Sequence, residues 1–185
     1  VLSSPNGARL AGALDQLDFM VSLDIYLNET TRHADVILPG VSPLQDTHYD
    51  FAFPQFSWRN QARFSEAVFP PPDQPAEWQT LLKLIAIVQG KGAAADVTAL
   101  DDELAEAEVR RQAGEHAGAV LAALGNLKGP DRLLDIALRS GPYGDLFGMR
   151  PEGISLAKVR AAEHGIDLGE LQPRIPELLR TPSGK

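Results

Sequence analysis

Residues 19–40, FMVSLDIYLNETTRHADVILPG, restrict the fold more than any other stretch of the chain. Two short apolar runs, Phe19–Leu23 and Val36–Leu38, flank a polar stretch, and each is followed by a residue with its own chemistry or geometry. Asp24 follows the first and Pro39-Gly40 the second. Apolar runs joined by a short polar helical segment predict a parallel strand–helix–strand unit. Strands over Phe19–Asp24 and Ala34–Leu38, apolar on both faces, suit a parallel sheet covered on both sides, and their crossover is expected to be right-handed. Asn28, ahead of Glu29-Thr30-Thr31, is a helix N-cap residue, and the helix it opens is expected to end near His33. Ligands of such sheets sit at the carboxyl ends of the strands, so Asp24 is the first candidate for function. Two strands are too few for an independent sheet. The expectation is α/β, with a partial doubly wound parallel sheet whose other strands precede Val1.

Ahead of this unit, residues 3–14 predict a helix entered through Ser3 or Ser4, with Pro5 early in it and Leu10, Ala13, Leu14 and Leu17 along its apolar stripe. Behind it, residues 40–75 hold most of the aromatic residues and run into Pro70-Pro-Pro72. They predict a long ordered loop with short extended pieces, of the length that is usually functional. From Pro75 the chain turns helical. Trp78, Leu81, Leu82, Ile85 and Val88 give a 3,4 spacing that stops at Gly90. A longer helix is expected from Leu100 to Leu124, closed by Gly125, with Asp101, Asp102 and Glu103 in an acidic first turn and a thin alanine-rich stripe that suggests partial exposure. Further helices are expected from Pro130 to Leu138 and from the cap Ser155 to His164, then an extended tail from Leu171. The domain reading is an α/β part over residues 1–70 and a mainly helical region over 71–185.

A formal net charge of −8 and a pI near 4.9 remove nucleic acid and anionic membrane surfaces from the expected partners. The chain has no cysteine, which excludes disulfides and thiolate metal sites within it. His33, His48, His116 and His164 have no ligand spacing, so no metal site is expected from these residues. No signal-peptide pattern is present and the compartment expected is the cytoplasm. The chain opens on Val1 without an initiator Met and stops at Thr181-Pro-Ser-Gly-Lys185, which reads as an internal piece of a longer polypeptide.

Asp24 has two readings from spacing alone. A carboxylate at a strand end terminates the strand and starts a turn. It also accepts two parallel hydrogen bonds, which matches the N1–H and N2–H edge of guanine as it matches the fork of arginine, or a ribose hydroxyl pair. Asn28 either shares a site with Asp24 or caps the helix, and the two roles are compatible. Glu29, Thr30 and Asp35 are placed to line the same crevice, with Asp35 as the residue before a strand in the plainer reading. His48, Tyr49, Asp50 and Arg59 match no known triad or metal spacing and read as packing or solvated groups. His33 and His164 suit helix C-termini, and Arg110-Arg111 with the acidic residues 101–108 suit a solvated helix face.

The order Asp24, Glu29-Thr30 and Ala34-Asp-Val-Ile-Leu-Pro-Gly40 resembles the molybdopterin oxidoreductases, the superfamily of formate dehydrogenases, nitrate reductases and dimethyl sulfoxide reductase, whose large subunits carry a VxxDxxxxETxxxADVVLP stretch. Val1–Asn6 is similar to the residues after the family's NP dipeptide. Thr181–Lys185 is similar to the T-x-S-G-K segment ahead of its C-terminal barrel-like domain, and Glu77-Trp78 with the helix to Gly90 resembles its helix after the cofactor domain. The resemblance implies an internal fragment of a multidomain catalytic subunit. Upstream would lie the first strand, a phosphate-contacting turn, the metal-ligating residue and, in most members, a Cys-rich segment for a 4Fe–4S cluster.

In the family the aspartate matching Asp24 binds the guanine of a molybdopterin guanine dinucleotide carrying molybdenum or tungsten. The residue matching Asn28, often Thr, contacts the same nucleotide. Glu29 and Thr30 belong to the same motif and are carried as cofactor-binding candidates. The loop after Gly40 departs from the family's G-x-[YF]-x-N-x-E-G-R pattern, with Arg59-Asn60 in a similar place, so catalytic residues stay unassigned. The partners implied are the remainder of the same subunit and an electron-transfer protein. The functional expectation is a piece of a molybdenum enzyme, inactive alone, that holds the nucleotide end of the cofactor. The competing reading is a non-catalytic, acidic helical interaction module in which Asp24 only ends a strand.

Overall fold

The computed structural model describes residues 1–53, 56–71, 73–175 and 177–183. Pro72, Pro176, Gly184 and Lys185, named in the proline run, the extended tail and the terminal motif above, lie outside the described residues. The chain forms two compact units, each from two segments: residues 1–47 with 66–132, and residues 48–65 with 133–185.

In the first unit, helix α1 is Gly7–Leu14. It starts later than Ser3 or Ser4 because Asn6 sits in the left-handed region (φ 55°, ψ 46°), which a right-handed helix cannot pass through. Strands β1 (Val21–Leu23) and β2 (Val36–Leu38) pair in parallel with Val21 opposite Val36 and Leu23 opposite Leu38, joined through a 3₁₀ turn at Thr31–His33. The strand–helix–strand unit expected from the apolar runs is therefore present. Its burial differs. Phe19 is 63% exposed, and Val21 and Val36 are exposed as well, because among the described residues the pair has no further strand at either edge. Among the described residues the strands form three two-stranded sheets, of which only β1–β2 is parallel. The fold class is mixed α/β, and these residues do not by themselves build a doubly wound sheet.

Helix α2, Glu77–Val88, forms where it is expected and stops at Gly90 (φ 78°), but Leu81, Ile85 and Val88 of its apolar stripe are exposed and its buried residue is Ala86. Helix α3 is Val97–Ala113, opened by Asp96, whose carboxylate accepts the N–H groups of Thr98 and Ala99. The single helix expected over Leu100–Leu124 is two. Gly114 (φ 53°, ψ −121°) breaks it, a 3₁₀ turn follows, and helix α4 runs Ala117–Leu124 to Gly125 (φ 58°). The thin alanine-rich stripe leaves α3 partly exposed, as expected, with Leu104 at 47%. Ala86, Leu100, Ala105, Val109, Ala117, Val120 and Leu124 are all buried and make the core of this unit, small side chains letting helix backbones approach closely. Because α3 begins at Val97, Asp101 and Asp102 fall beyond its first turn. They hold Arg132, which donates to the half-exposed Asp102 at 2.5 Å and to the carbonyls of Asp101 (3.2 Å) and Leu127 (2.6 Å). Glu106 with Arg110 and Glu108 with Arg111 do form the solvated intrahelical pairs expected of them.

Helix α5, Gly129–Ser140, gives its first four residues to the first unit and the rest to the second. The second unit holds β3 (His48–Tyr49) antiparallel to β5 (Phe64–Ser65), the short extended pieces expected of the aromatic loop. It also holds β4 (Arg59–Ala62), antiparallel to β6 (Ile166–Glu170). Strand β6 lies just ahead of the tail, where no strand is legible from composition. Helix α6 is Leu156–Ala161, capped by Ser155 as predicted and shorter than the expected reach to His164. Ala62, Leu138, Ile154, Leu156 and Val159 form this core. Beside it the buried Asp135 accepts the Leu156 N–H at 2.8 Å, and Arg139 grips Asp145 through two hydrogen bonds of 2.8 and 2.9 Å. Among the described residues no helix is long and apolar enough to cross a membrane.

Candidate functional site

Asp24 is the first residue past β1, and its N–H continues the parallel ladder to the Leu38 carbonyl at 3.2 Å. The chain then leaves the sheet, so the carboxylate stands at the carboxyl end of the strand. Both of its oxygens are held. Oδ1 accepts the Tyr26 N–H at 2.9 Å and Oδ2 accepts the Asn28 Nδ2 amide at 2.8 Å. The Tyr26 N–H first, and then the Asn28 amide, hold the Asp24 pKa below its ordinary value, since both donors favour the charged form. Asp24 is therefore an acceptor-only group at neutral pH. Each carboxylate oxygen has room for a second donor.

The turn behind Asp24 closes on itself. Asn28 Oδ1 accepts the N–H groups of Thr30 (2.9 Å) and Thr31 (3.1 Å), the capping role expected from the sequence. Thr31 Oγ1 accepts the Asn28 N–H at 2.8 Å and donates to the Tyr26 carbonyl at 2.9 Å. The Arg32 N–H returns to the Asn28 carbonyl at 3.0 Å. Thr31 is 1% exposed and is the buried hub of this turn, a role not among the sequence-based expectations.

The other candidates divide. Glu29 is exposed and its carboxylate has no partner among the described residues. Thr30 is partly exposed, and its Oγ1 accepts from the Val1 amine at 2.9 Å. Ile25, Tyr26 and Leu27, directly after Asp24, are exposed, with Tyr26 at 70%. Asp35 does not join them. Its Oδ2 accepts the Met20 N–H at 2.7 Å at the opposite, amino-terminal end of the strand pair, the plainer of its two readings. His33 ends the 3₁₀ turn, but its Nδ1 pairs with Asp15 Oδ1 at 2.6 Å, a specific partner in place of the helix-end field expected.

Leu38, which accepts the Asp24 N–H, also lines a cavity of about 690 Å³ in the same unit, together with Gln79, Thr80 and Lys83 of α2. The Lys83 ammonium is held there by the carbonyls of Ala93 (2.9 Å) and Ala95 (2.5 Å).

The aromatic-loop residues gather no catalytic constellation. Arg59 chelates Asp167, with its Nε 3.0 Å from each carboxylate oxygen, and lies over the Trp58 ring, while Asn60 donates to the Glu170 carbonyl at 2.9 Å. Both residues clamp β4 to β6. The Asp167 carboxyl is held below its ordinary pKa by Arg59 first and the Gly169 N–H second. Asp50 caps its own turn through the Phe53 N–H, and His48 is exposed. Tyr49 is half-buried, and burial, aided by the Asp50 charge, pushes its phenol pKa up. Among the described residues no group of three or more His, Asp or Glu side chains is placed to hold a metal ion.

No family model matches the chain and no solved structure matches it. Curated proteins do. The chain is 34% identical over 110 residues to the assimilatory nitrate reductase catalytic subunit of Bacillus subtilis, covering 57% of this chain and 15% of that protein. It is 34% identical over 92 residues to the F420-dependent formate dehydrogenase 1 subunit alpha of Methanococcus maripaludis, covering 50% of this chain and 13% of the relative. The F420-dependent formate dehydrogenase subunit alpha of Methanocaldococcus jannaschii is also 34% identical, over 84 residues, 45% of this chain and 12% of its own. The match thus spans 12 to 15% of the length of these relatives. Each of the three is a subunit of a nitrate reductase or a formate dehydrogenase, and these likenesses support the resemblance of the Asp24–Gly40 motif to the molybdopterin oxidoreductases.

Proposed function

We propose that this chain is part of the catalytic subunit of a molybdopterin-dependent oxidoreductase and that it holds the guanine end of a molybdopterin guanine dinucleotide. The observation that carries the reading is the Asp24 carboxylate. It is ionised, stands at the carboxyl end of a parallel strand, and is gripped from behind by Tyr26 and Asn28 with acceptor capacity left on both oxygens. The donor set fits the group, because a guanine edge offers two parallel N–H donors and a carboxylate answers both. The exposed Ile25–Leu27 segment offers apolar surface beside it, and Glu29 and Thr30 are the polar groups next in line.

The bound cofactor supplies two-electron chemistry at its metal. What these residues do is bind and orient its nucleotide end. The segment alone would be inactive, residues 1–70 contributing to the dinucleotide-binding domain and 71–185 to a mainly helical region. Other parts of the same subunit would complete the doubly wound sheet and, in the upstream part, carry a 4Fe–4S cluster. An electron-transfer protein would be the partner of the whole, in the cytoplasm.

The test is Asp24→Ala in the full-length protein. We expect the metal and the acid-released GMP per mole of protein to fall together, with the variant still folded. Full metal and nucleotide content in that variant would refute the assignment.

A further inference from the structure

We propose that Asn28 is a positioning residue for Asp24: its amide fixes the plane in which the carboxylate meets the nucleotide, and it does not itself need to touch the ligand. This rests on the nucleotide-anchor reading of Asp24.

An asparagine amide has two acceptor lone pairs and two donor hydrogens. In Asn28 both lone pairs are taken by the N–H groups of Thr30 and Thr31, and one hydrogen goes to Asp24 Oδ2. The backbone of Asn28 is equally committed, its N–H to Thr31 Oγ1 and its carbonyl to the Arg32 N–H. Turning the amide toward a ligand would break two cap bonds and the Asp24 bond together. Asn28 is thus a rigid strut between the turn and the carboxylate.

What it supports is soft without it. The terminal torsion of an aspartate is broad, so a carboxylate held at one oxygen swings. Held at Oδ1 by the Tyr26 N–H and at Oδ2 by the Asn28 amide, it presents a fixed edge. Ordering it before binding removes that cost from the binding step.

The position separates two tasks that substitutions can pull apart. Serine keeps an oxygen that caps Thr30 and Thr31 but is too short to reach Asp24. Aspartate caps as well as asparagine, yet sets a second negative charge against Asp24. The experiment uses the full-length protein purified with its cofactor, reading the rate at which GMP, released by acid hydrolysis, is lost from the protein on incubation, alongside the melting temperature. For Asn28→Ser we expect loss about tenfold faster, the effect of one hydrogen bond to a charged group, at an unchanged melting temperature. Asn28→Asp should lose nucleotide faster still although its cap is intact. Asp24→Ala should lack nucleotide from the start. Asn28→Ser or Asn28→Asp retaining nucleotide like the parent, while Asp24→Ala is empty, would overturn the positioning role and leave the anchor standing. Loss that only tracks a fall in melting temperature would overturn it too, as a purely structural effect. Asp24→Ala retaining nucleotide would instead overturn the anchor reading beneath it.

Discussion

The Thr31 hydroxyl donates to the Tyr26 carbonyl at 2.9 Å across a turn that Thr31 itself caps from below, its oxygen also taking the Asn28 N–H. The Thr31 side chain is 1% exposed, while the two bonds it makes are part-buried. Tyr26 and Asn28 are the two residues that grip Asp24, and Thr31 is what keeps them together.

That geometry sets the first prediction. Thr31→Val preserves shape and removes the hydroxyl, leaving the Tyr26 carbonyl and the Asn28 N–H without their Thr31 partner. The cost expected is about 1–2 kcal/mol, the loss of two part-buried hydrogen bonds. Thr31→Ser, which keeps the oxygen, should cost less than half of that. Urea unfolding of the full-length protein measures both. Equal costs for the two variants would mean that the methyl group, not the hydroxyl, matters at this position.

A second prediction concerns acid. Asp145 is mostly buried, and its carboxyl is held below the ordinary value of 3.8 by the Arg139 hydrogen bonds first, with the N–H groups of Phe147 and Gly148 adding to it against the cost of burial. A carboxyl with a folded pKa below its unfolded pKa binds fewer protons when folded. Its contribution to stability is therefore complete above the unfolded value and is lost as pH falls through the folded one. Asp145→Asn removes this dependence. The variant should be less stable than the parent by about 2 kcal/mol at neutral pH, having lost a hydrogen-bonded charge partner of Arg139. Below pH 4 the two should converge, which denaturant midpoints taken across pH will show. Parallel curves down to pH 2 would exclude Asp145 as a contributor to acid sensitivity.

Where the fold was legible in sequence, the physics was local. The apolar runs before Asp24 and Pro39 place β1 and β2, and Asn28 and Ser155 cap as their side chains dictate. The spacing from Trp78 to Val88 places the helix, though not the face it buries. What escaped was set by partners far along the chain. Strand β6, Ile166-Asp-Leu-Gly-Glu170, has little to distinguish it until it meets β4, with Arg59 bonded to Asp167 across 108 residues. The break at Gly114 hid inside an alanine-rich stripe that continues through it. The site shows the same division. Asp24 and Asn28 were visible by type and spacing, whereas Thr30 and Thr31 are adjacent and identical, and only the folded turn decides that Thr31 points inward.

The last prediction uses two glycines with similar positive φ and different surroundings. Gly125 (φ 58°) ends α4 in open space, while Gly129 (φ 52°) begins α5 against Trp78, whose ring carbon Cε2 would lie 2.6 Å from an added Cβ. An alanine at either position takes the strain of a positive φ, on the order of 1–3 kcal/mol. At Gly129 it also drives a methyl group into the half-buried Trp78 indole, an overpacking cost of about 1–3 kcal/mol more. Gly129→Ala should therefore destabilise clearly more than Gly125→Ala, and replacing Trp78 with a smaller side chain should reduce the difference. The double variant Trp78→Leu with Gly129→Ala tests this as a cycle, because residues in contact do not add. If the two glycine substitutions cost the same, and the Trp78 change leaves the cost at Gly129 untouched, backbone strain alone accounts for both and the indole does not press on this helix start.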